Sequence, residues 1–377
     1  MFKKKRVAVL GATGSIGKSS LDIISRGTSS ENKENFEVVL LSAKSNRVKL
    51  DELSKQFPGA ACILTEHDGI NKLLSLIKEI KPDITINGIA GACGLQPSLA
   101  AVEAGSDLAL ANKETIVMAG GLVMRHAKEK NVNIIPVDFE HSAIFHLMKA
   151  YTQAANGVIS EIILTASGGP FRNLTLEEME KVTVKDALSH PTWNMGPKIT
   201  IDSASMANKG LEIIEACVLF NMNPDKIKVV IHPQSIVHSM IRLCNGVIYA
   251  QASKPDMRHP IHDALYWPHT VPLSIDLLNF DSLSLDFFKP DLCKFPMLSF
   301  AWTAAKKGGL YPCAYNAANE IAAAAFLEEK IKFTDIPRIT EHVLQADWTG
   351  NGLDLDTILQ VDENARKKAN SFILRTA

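Results

Sequence analysis

The chain has 377 residues, long enough for two or three cores rather than one. Hydrophobic residues make up 46% and charged residues 21%, and the formal net charge is −1, so bulk charge favours neither nucleic acid nor a membrane surface as partner. Six scattered cysteines with no C-x-x-C pair exclude a zinc-ribbon pattern and suit reduced thiols in a cytoplasm-like compartment.

The basic start, Met1 to Arg6, leads into an apolar run of Val7 to Leu10, too short for a signal-peptide core. No apolar run approaches the roughly 20 residues of a membrane-crossing helix. The spacing predicts a strand over 6–10, a helix over 16–25, a strand over 37–42, helices over 51–57 and 69–80, and strands over 83–87, 107–110 and 133–137. Strands alternating with helices imply a parallel, doubly wound α/β sheet.

Between the first strand and helix runs G-A-T-G-S-I-G-K-S-S, residues 11–20. Gly11, Gly14 and Gly17 fit a dinucleotide turn, whereas Ala12 to Ser19 resembles a nucleoside-triphosphate P-loop with Ala in place of its first Gly. Either places a helix N-terminus against phosphate. A P-loop enzyme also needs a strand ending in a Mg²⁺-holding Asp, and the stretch Ile134 to Asp138 that imitates one has Pro136 inside it. An NAD site ends its second strand with an acid for the ribose 2′-OH. Here that place reads Ser42-Ala43-Lys44-Ser45-Asn46-Arg47, with hydroxyls and two cations, which suits a 2′-phosphate and therefore NADP(H). A glycine turn with no ligand is the competing reading, and the cationic second strand argues against it.

Farther on, a strand over 158–165 runs into Ser167-Gly168-Gly169-Pro170, and a Pro/Trp/Gly-rich stretch, His190 to Pro197, follows. A helix over 205–220 and strands over 228–231 and 246–250 give a separate α+β domain. Residues 271–296 lack periodicity and read as a connector. Helical patterns over 297–307, 314–329, 334–346 and 355–372 imply a C-terminal bundle. The expected divisions are 1–137 (a Rossmann-like, NADPH-binding domain), 138–270 (the catalytic domain, with metal and substrate), 271–296 (the connector) and 297–377 (the helical domain).

Asp138 and Glu140, two apart at the end of an apolar strand, share a face. Two carboxylates there repel unless a cation neutralises them, and hard divalent ions take oxygen ligands. Glu212 offers a third carboxylate, on the same helix face as Asn208. Solvated or ion-paired acids are an equal reading of the spacing. Ser167-Gly-Gly resembles an anion nest. Together with Ser203, Asn208 and Lys209 it offers a phosphate clamp, against the plainer reading of 202–205 as helix capping. Trp193 and Met195, between Pro191 and Pro197, suit a lid over a ligand. In His232-Pro-Gln-Ser-Ile-Val-His238, a structural histidine is at least as good a reading as a site histidine.

The blocks GATGSIG (11–17), LANKET (110–115), PVDFEH (136–141), SGGPFR (167–172), HPTWNMG (190–196), DSASMANKGLEIIEA (202–216), HPQSIVHSM (232–240), PDMRHPI (255–261) and NAANEIAAAAF (316–326) resemble, in order and spacing, the 1-deoxy-D-xylulose 5-phosphate reductoisomerase family. The resemblance implies an NADPH-dependent homodimeric enzyme using Mg²⁺, Mn²⁺ or Co²⁺, while the near-zero net charge, the short apolar runs and the scattered cysteines point to no nucleic-acid or membrane partner and a cytoplasmic setting. Its reaction turns 1-deoxy-D-xylulose 5-phosphate into 2-C-methyl-D-erythritol 4-phosphate. Carried over by position, Asp138, Glu140 and Glu212 match the metal ligands. Lys113, Ser167, His190, Ser203, Asn208 and Lys209 match substrate positions, and Trp193 and Met195 match a flexible lid. Thr13, Gly14, Ser15, Ile16, Ala43, Lys44, Ser45, Asn112, Glu114 and Gly196 match NADPH positions. Lys113, Glu140, His190 and bound water are the candidate proton carriers, and the sequence does not choose among them.

Phe139 stands where the family usually has a Ser that contacts substrate. Strand alternation would turn its ring away from the Asp138/Glu140 face. Ala43-Lys44-Ser45 replaces the usual Gly-Lys-Asn. The competing functions are an NADP-dependent semialdehyde dehydrogenase, with Cys93 as nucleophile, and a non-catalytic NADP sensor.

Overall fold

In the computed structural model, which describes residues 4–26, 35–151, 158–190 and 195–376, the predicted alternation closes into a parallel sheet. In chain order the first elements are β1 (Lys5–Leu10), α1 (Ser15–Arg26), β2 (Phe36–Ala43), α2 (Arg47–Gln56), β3 (Ala61–Leu64), α3 (Thr65–Asp68), α4 (Ile70–Ile80) and β4 (Ile84–Asn87). Then come α5 (Leu95–Glu103), β5 (Asp107–Leu110), α6 (Lys113–Lys130), β6 (Ile134–Pro136), α7 (Phe139–Lys149), β7 (Ile159–Ala166), α8 (Leu176–Met179) and α9 (Val184–Ala187). The remainder is α10 (Pro197–Ala204), α11 (Ala207–Leu219), β8 (Ile227–Ile231), β9 (Val237–Leu243), β10 (Ile248–Ala252), α12 (Arg258–Tyr266), α13 (Pro296–Lys307), α14 (Tyr311–Leu327), α15 (Asp335–Leu344) and α16 (Leu355–Thr376).

The chain forms two compact units, one of residues 1–115, 123–142 and 254–277, the other of 116–122, 143–253 and 278–377. The first unit holds six parallel strands in the order β3-β2-β1-β4-β5-β6. Strand order reverses at β1, so the carboxyl ends of β1 and β4 flank the crevice where such sheets bind nucleotides. Leu10 pairs there with Ser42 on one side and Asn87 on the other. Val7 to Leu10 are wholly buried, as a strand covered on both faces requires.

Helix α12 and its flanks, 254–277, belong to this first unit rather than to the middle of the chain. The reason is local. Tyr266 meets the Phe36 ring edge-on at 5.0 Å, and Lys5 Nζ donates to the Leu265 and Trp267 carbonyls at 2.9 and 3.0 Å.

The second unit holds a mixed sheet, β10-β9-β7-β8, in which only β7 and β8 run parallel. Helices α10, α11 and α13 to α16 lie in the same unit. Its centre is α14, where alanines at 314, 317, 318, 322 and 323 are fully buried and let neighbouring helices approach closely. Among the described residues all six cysteines are unpaired, and no helix is long and apolar enough to cross a membrane.

Candidate active site

The glycine turn sits where β1 meets α1. Gly11 has φ +75°, and a Cβ on it would lie 2.8 Å from the Gly88 carbonyl oxygen. The turn is pinned to the second strand, with Gly11 N–H donating to Ser42 Oγ at 3.3 Å and Ala12 N–H to the Ser42 carbonyl at 2.7 Å. Gly14 and Ser15 are exposed, Thr13 and Ile16 half-buried, and the first turn of α1 carries no acid. At the end of β2 the Ala43 side chain is buried while Lys44, Ser45, Asn46 and Arg47 are exposed. Lys18, the residue that invites the P-loop reading, is exposed on α1.

Helix α6 opens the other half of the first unit's site. Asn112 is its N-cap, taking the Thr115 N–H at 3.0 Å and the Thr115 hydroxyl at 2.5 Å. The Asn112 amide also donates to the carbonyls of Ile89 and Gly91, at 2.7 and 2.9 Å, and to Glu114 Oε2 at 3.0 Å. Its side chain is buried and committed to these bonds, so Asn112 sets the 89–91 backbone in place. Lys113, also buried, reaches Asp138 Oδ2 at 3.2 Å.

The strand expected to carry Asp138 and Glu140 on one face stops at Pro136. Asp138 instead precedes α7, takes the His141 N–H on Oδ1 at 3.3 Å, and leaves Phe139 and Glu140 in the first helical turn. An acid just before a helix, another in its first turn and a proline ending the strand form a helix start rather than a strand end. The alternation argument for Phe139 therefore does not apply. Its ring is buried, 8% exposed, as part of a helix N-terminus. Phe139→Ser is expected to lower stability by about 3 kcal/mol, the low end for deleting a buried ring. Urea unfolding checks this, and an unchanged midpoint would contradict it.

His141, fully buried, lies with Nδ1 3.0 and 3.1 Å from the two Asp138 oxygens. Burial opposes charge on Asp138, but the His141 and Lys113 charges and their hydrogen bonds win and hold the carboxyl well below its ordinary range.

In the second unit, β7 delivers the chain to Ser167-Gly168-Gly169, with both glycines at positive φ, +86° and +67°. A Cβ on Gly169 would lie 2.6 Å from the Ser203 carbonyl oxygen, so glycine lets this loop touch α10. His190 Nε2 lies between two hydroxyls, Ser167 Oγ at 3.3 Å and Ser203 Oγ at 3.1 Å. Burial and then the Arg172 charge lower the His190 pKa, which favours the neutral ring at pH 7. One turn of α11 groups the rest: Asn208 Nδ2 donates to Glu212 Oε1 at 2.6 Å, and Lys209 Nζ pairs with Glu212 Oε2. Lys209 and Glu212 are buried, and Asn208 Oδ1 is buried with no hydrogen-bond partner among the described residues.

Three family models match: a 1-deoxy-D-xylulose 5-phosphate reductoisomerase model over residues 7–79 and 59–120, and two C-terminal domain models of that enzyme over 134–220 and 252–368. The chain is 46% identical over 380 residues to 1-deoxy-D-xylulose 5-phosphate reductoisomerase of Treponema denticola, with 98% of each chain covered. The chain belongs to the 1-deoxy-D-xylulose 5-phosphate reductoisomerase family. A crystal structure of that enzyme in complex with NADPH, fosmidomycin and magnesium superposes with a TM-score of 0.89 at 37% identity over 98% of each chain. The Zymomonas mobilis enzyme in complex with NADPH gives 0.87 at 38% identity, covering 98% of this chain and 99% of that one.

Trp193 lies outside the described residues; Met195 is half-buried and Gly196, exposed, is the N-cap of α10. The capping reading of 202–205 is not met: Asp202 and Ser203 lie inside α10, and the N-cap of α11 is Met206 without a side-chain cap bond, although Ser205 Oγ takes the Ala207 N–H at 3.3 Å. His232 is structural. It is fully buried, with Nδ1 donating to the Asp286 carbonyl at 2.9 Å and Nε2 taking the Ile236 and Val237 N–H groups at 3.1 Å. Sequence reasoning missed His141, although it stands three residues after Asp138 in the quoted PVDFEH block. Reading Asp138 as a helix cap would have brought it in.

Proposed function

We propose that the chain catalyses the NADPH- and divalent-metal-dependent rearrangement and reduction of 1-deoxy-D-xylulose 5-phosphate to 2-C-methyl-D-erythritol 4-phosphate, in isoprenoid biosynthesis. The observation that carries this reading is one chain, near full-length kin to that family, bearing both donor sets the reaction needs. The first unit has a glycine turn with an acid-free helix start and a cationic second-strand end. The second has hydroxyls, an amide and a buried amine gathered around His190 and Glu212.

The residues present fit NADPH. Thr13, Gly14, Ser15 and Ile16 face the pyrophosphate, and Lys44 and Ser45 take the 2′-phosphate where an NAD enzyme keeps an acid. Gly196 and Glu114 complete the cofactor contacts, with Asn112 and Ala43 shaping the backbone beside them. Lys44→Asp is expected to raise the KM for NADPH at least about tenfold, since a charge-assisted contact is worth roughly 1.5–3 kcal/mol, while the rate with NADH does not fall. Steady-state kinetics with both cofactors checks this; equal effects on the two would remove the 2′-phosphate assignment.

Asp138, Glu140 and Glu212 also fit a divalent cation, because all three are hard oxygen donors and Asp138 is held ionised without help from a metal. When bound, the ion supplies Lewis-acid polarisation of the substrate oxygens and the nicotinamide supplies hydride. Ser167, Ser203, Asn208 and Lys209 hold the phosphate remote from the reacting carbons, which fixes orientation. Neutral His190 accepts or donates through Nε2 at the two serines. Lys113, beside Asp138, carries a proton at Nζ. Phe139 offers no hydroxyl, so substrate meets backbone there. Met195 keeps the lid role that the family resemblance gives it.

A homodimer and a cytoplasmic setting belong to the same reading. The edge strand β10 leaves Ile248 and Tyr249 each 42% exposed, next to Val247 at 46%, and a second copy of the chain would cover it. A monomeric mass in light scattering would remove that part. The experiment for the whole reading follows NADPH absorbance with 1-deoxy-D-xylulose 5-phosphate, with and without Mg²⁺ or Mn²⁺. Oxidation that requires both substrate and metal is expected; none would sink the function.

A further inference from the structure

The NAANEIAAAAF block lies on α14, and none of its residues enters the site above. Two residues of that helix, Tyr315 and Asn319, stand four apart and so share a face. Tyr315 is fully buried and its hydroxyl donates to the Met297 carbonyl at 3.2 Å. A Cβ on Gly210 would lie 2.3 Å from that hydroxyl oxygen, so α11 rests directly on Tyr315. One turn on, Asn319 is also fully buried and donates from Nδ2 to Asp202 Oδ1 at 2.8 Å. The other Asp202 oxygen takes Lys198 Nζ at 2.7 Å. A carboxylate only accepts, which fixes the orientation of the amide.

One face of α14 therefore seats both helices that present the proposed phosphate ligands. Asn208 and Lys209 directly precede Gly210. Ser203 directly follows Asp202 and meets His190 at 3.1 Å. Apolar packing alone allows packed helices to slide by small amounts. A buried hydrogen bond to a carboxylate is directional and strong, and fixes α10 along its axis. Among the described residues Asn319 Oδ1 has no partner, so this amide leaves one polar atom unmatched in the interior while its Nδ2 serves Asp202.

We infer that Asn319 is a positioning residue for the substrate phosphate, acting through Asp202 to hold Ser203 against His190. This rests on the phosphate assignment made above. The test is steady-state kinetics on the full chain with metal, using Asn319→Leu, which keeps the branching and heavy-atom count of the side chain and removes the donor. The KM for 1-deoxy-D-xylulose 5-phosphate is expected to rise about tenfold, with kcat and the KM for NADPH changed by less than about twofold. In a Ser203→Ala background the same substitution is expected to add little, because the two act through one contact. An unchanged substrate KM, equal losses in kcat and NADPH affinity, or full additivity with Ser203→Ala would overturn the inference. If Asn319→Leu fails to fold, Asn319→Ala, which removes the same donor without adding bulk to an alanine-rich helix, must show the same split, and its absence overturns the inference equally. A wild-type chain that does not turn over refutes the function and this role with it. A wild-type chain that turns over beside an unaffected Asn319→Leu refutes this role alone.

Discussion

Glu212→Gln is expected to reduce turnover by on the order of a hundredfold or more and to shift the metal dependence to higher concentration. Changing a residue that merely orients a ligand costs about 10–100-fold in metal affinity or activity, and loss of an anionic ligand sits at or beyond that range. The surroundings sharpen the expectation. Both Glu212 oxygens already accept, one from Asn208 at 2.6 Å and the other from Lys209. A glutamine offers one oxygen and one NH2, so one of those donors then faces another donor. Lys209 is 4% exposed, and losing its counter-charge while it stays buried costs roughly 3–5 kcal/mol in comparable pairs. Two measurements separate the effects: NADPH oxidation titrated with Mn²⁺, and urea unfolding without metal. If the variant keeps both the rate and the metal half-saturation of the wild type, Glu212 is not a ligand, whatever its stability. If stability falls while the metal dependence stays, the residue is a structural counter-ion for Lys209.

The doubly wound sheet was legible because alternating apolar runs and a glycine turn are local signals, and β1, β2, β4 and β5 fall within one residue or so of their expected spans. Elements whose signal is not local were lost. Strand β3 is an edge strand with Ala61 and Cys62 only half-buried, so just Ile63 and Leu64 carry an apolar signal. Helix α6 is broken at Ala119 and carries Gly120 and Gly121, which interrupt its pattern. Strand β9 buries His238 and Ser239, so its inward face does not read as apolar. The start of α7 resembles strand in the sequence because Val137 extends an apolar run past Pro136, and the cap at Asp138 decides against it. For the candidate site, spacing alone leaves the acids and the Ser/Asn/Lys clamp as one of two readings, and only the resemblance assigns roles residue by residue. What spacing cannot supply is the second layer. His141 behind Asp138 needs the helix cap, and Asn319 behind Asp202 needs two helices 117 residues apart brought together by the fold.

Gly17→Ala is expected to cost about 3 kcal/mol of stability, the upper part of the usual over-packing range, and to abolish measurable NADPH binding. A Cβ there would lie 2.5 Å from both Ala12 Cα and the Gly11 oxygen and 2.6 Å from Ala12 C. These are backbone atoms of the turn itself, so no side chain can swing aside. Either α1 lifts from the turn or the turn leaves β2, to which Ser42 pins it at 2.7 and 3.3 Å. Gly14→Ala separates this packing role from a ligand role. Gly14 is exposed, and its nearest obstacle is the Gly11 oxygen at 3.3 Å, so stability is expected to change by less than about 1 kcal/mol. NADPH affinity is nevertheless expected to fall, because a methyl on the exposed rim stands where the pyrophosphate approaches backbone N–H groups. Urea unfolding and a fluorescence titration with NADPH, run on both variants, read the two effects independently. A stable Gly14→Ala chain with wild-type affinity would move the cofactor off this turn. A stable Gly17→Ala chain would show that α1 is free to shift, and the close contact of helix with turn would lose its part in shaping the site.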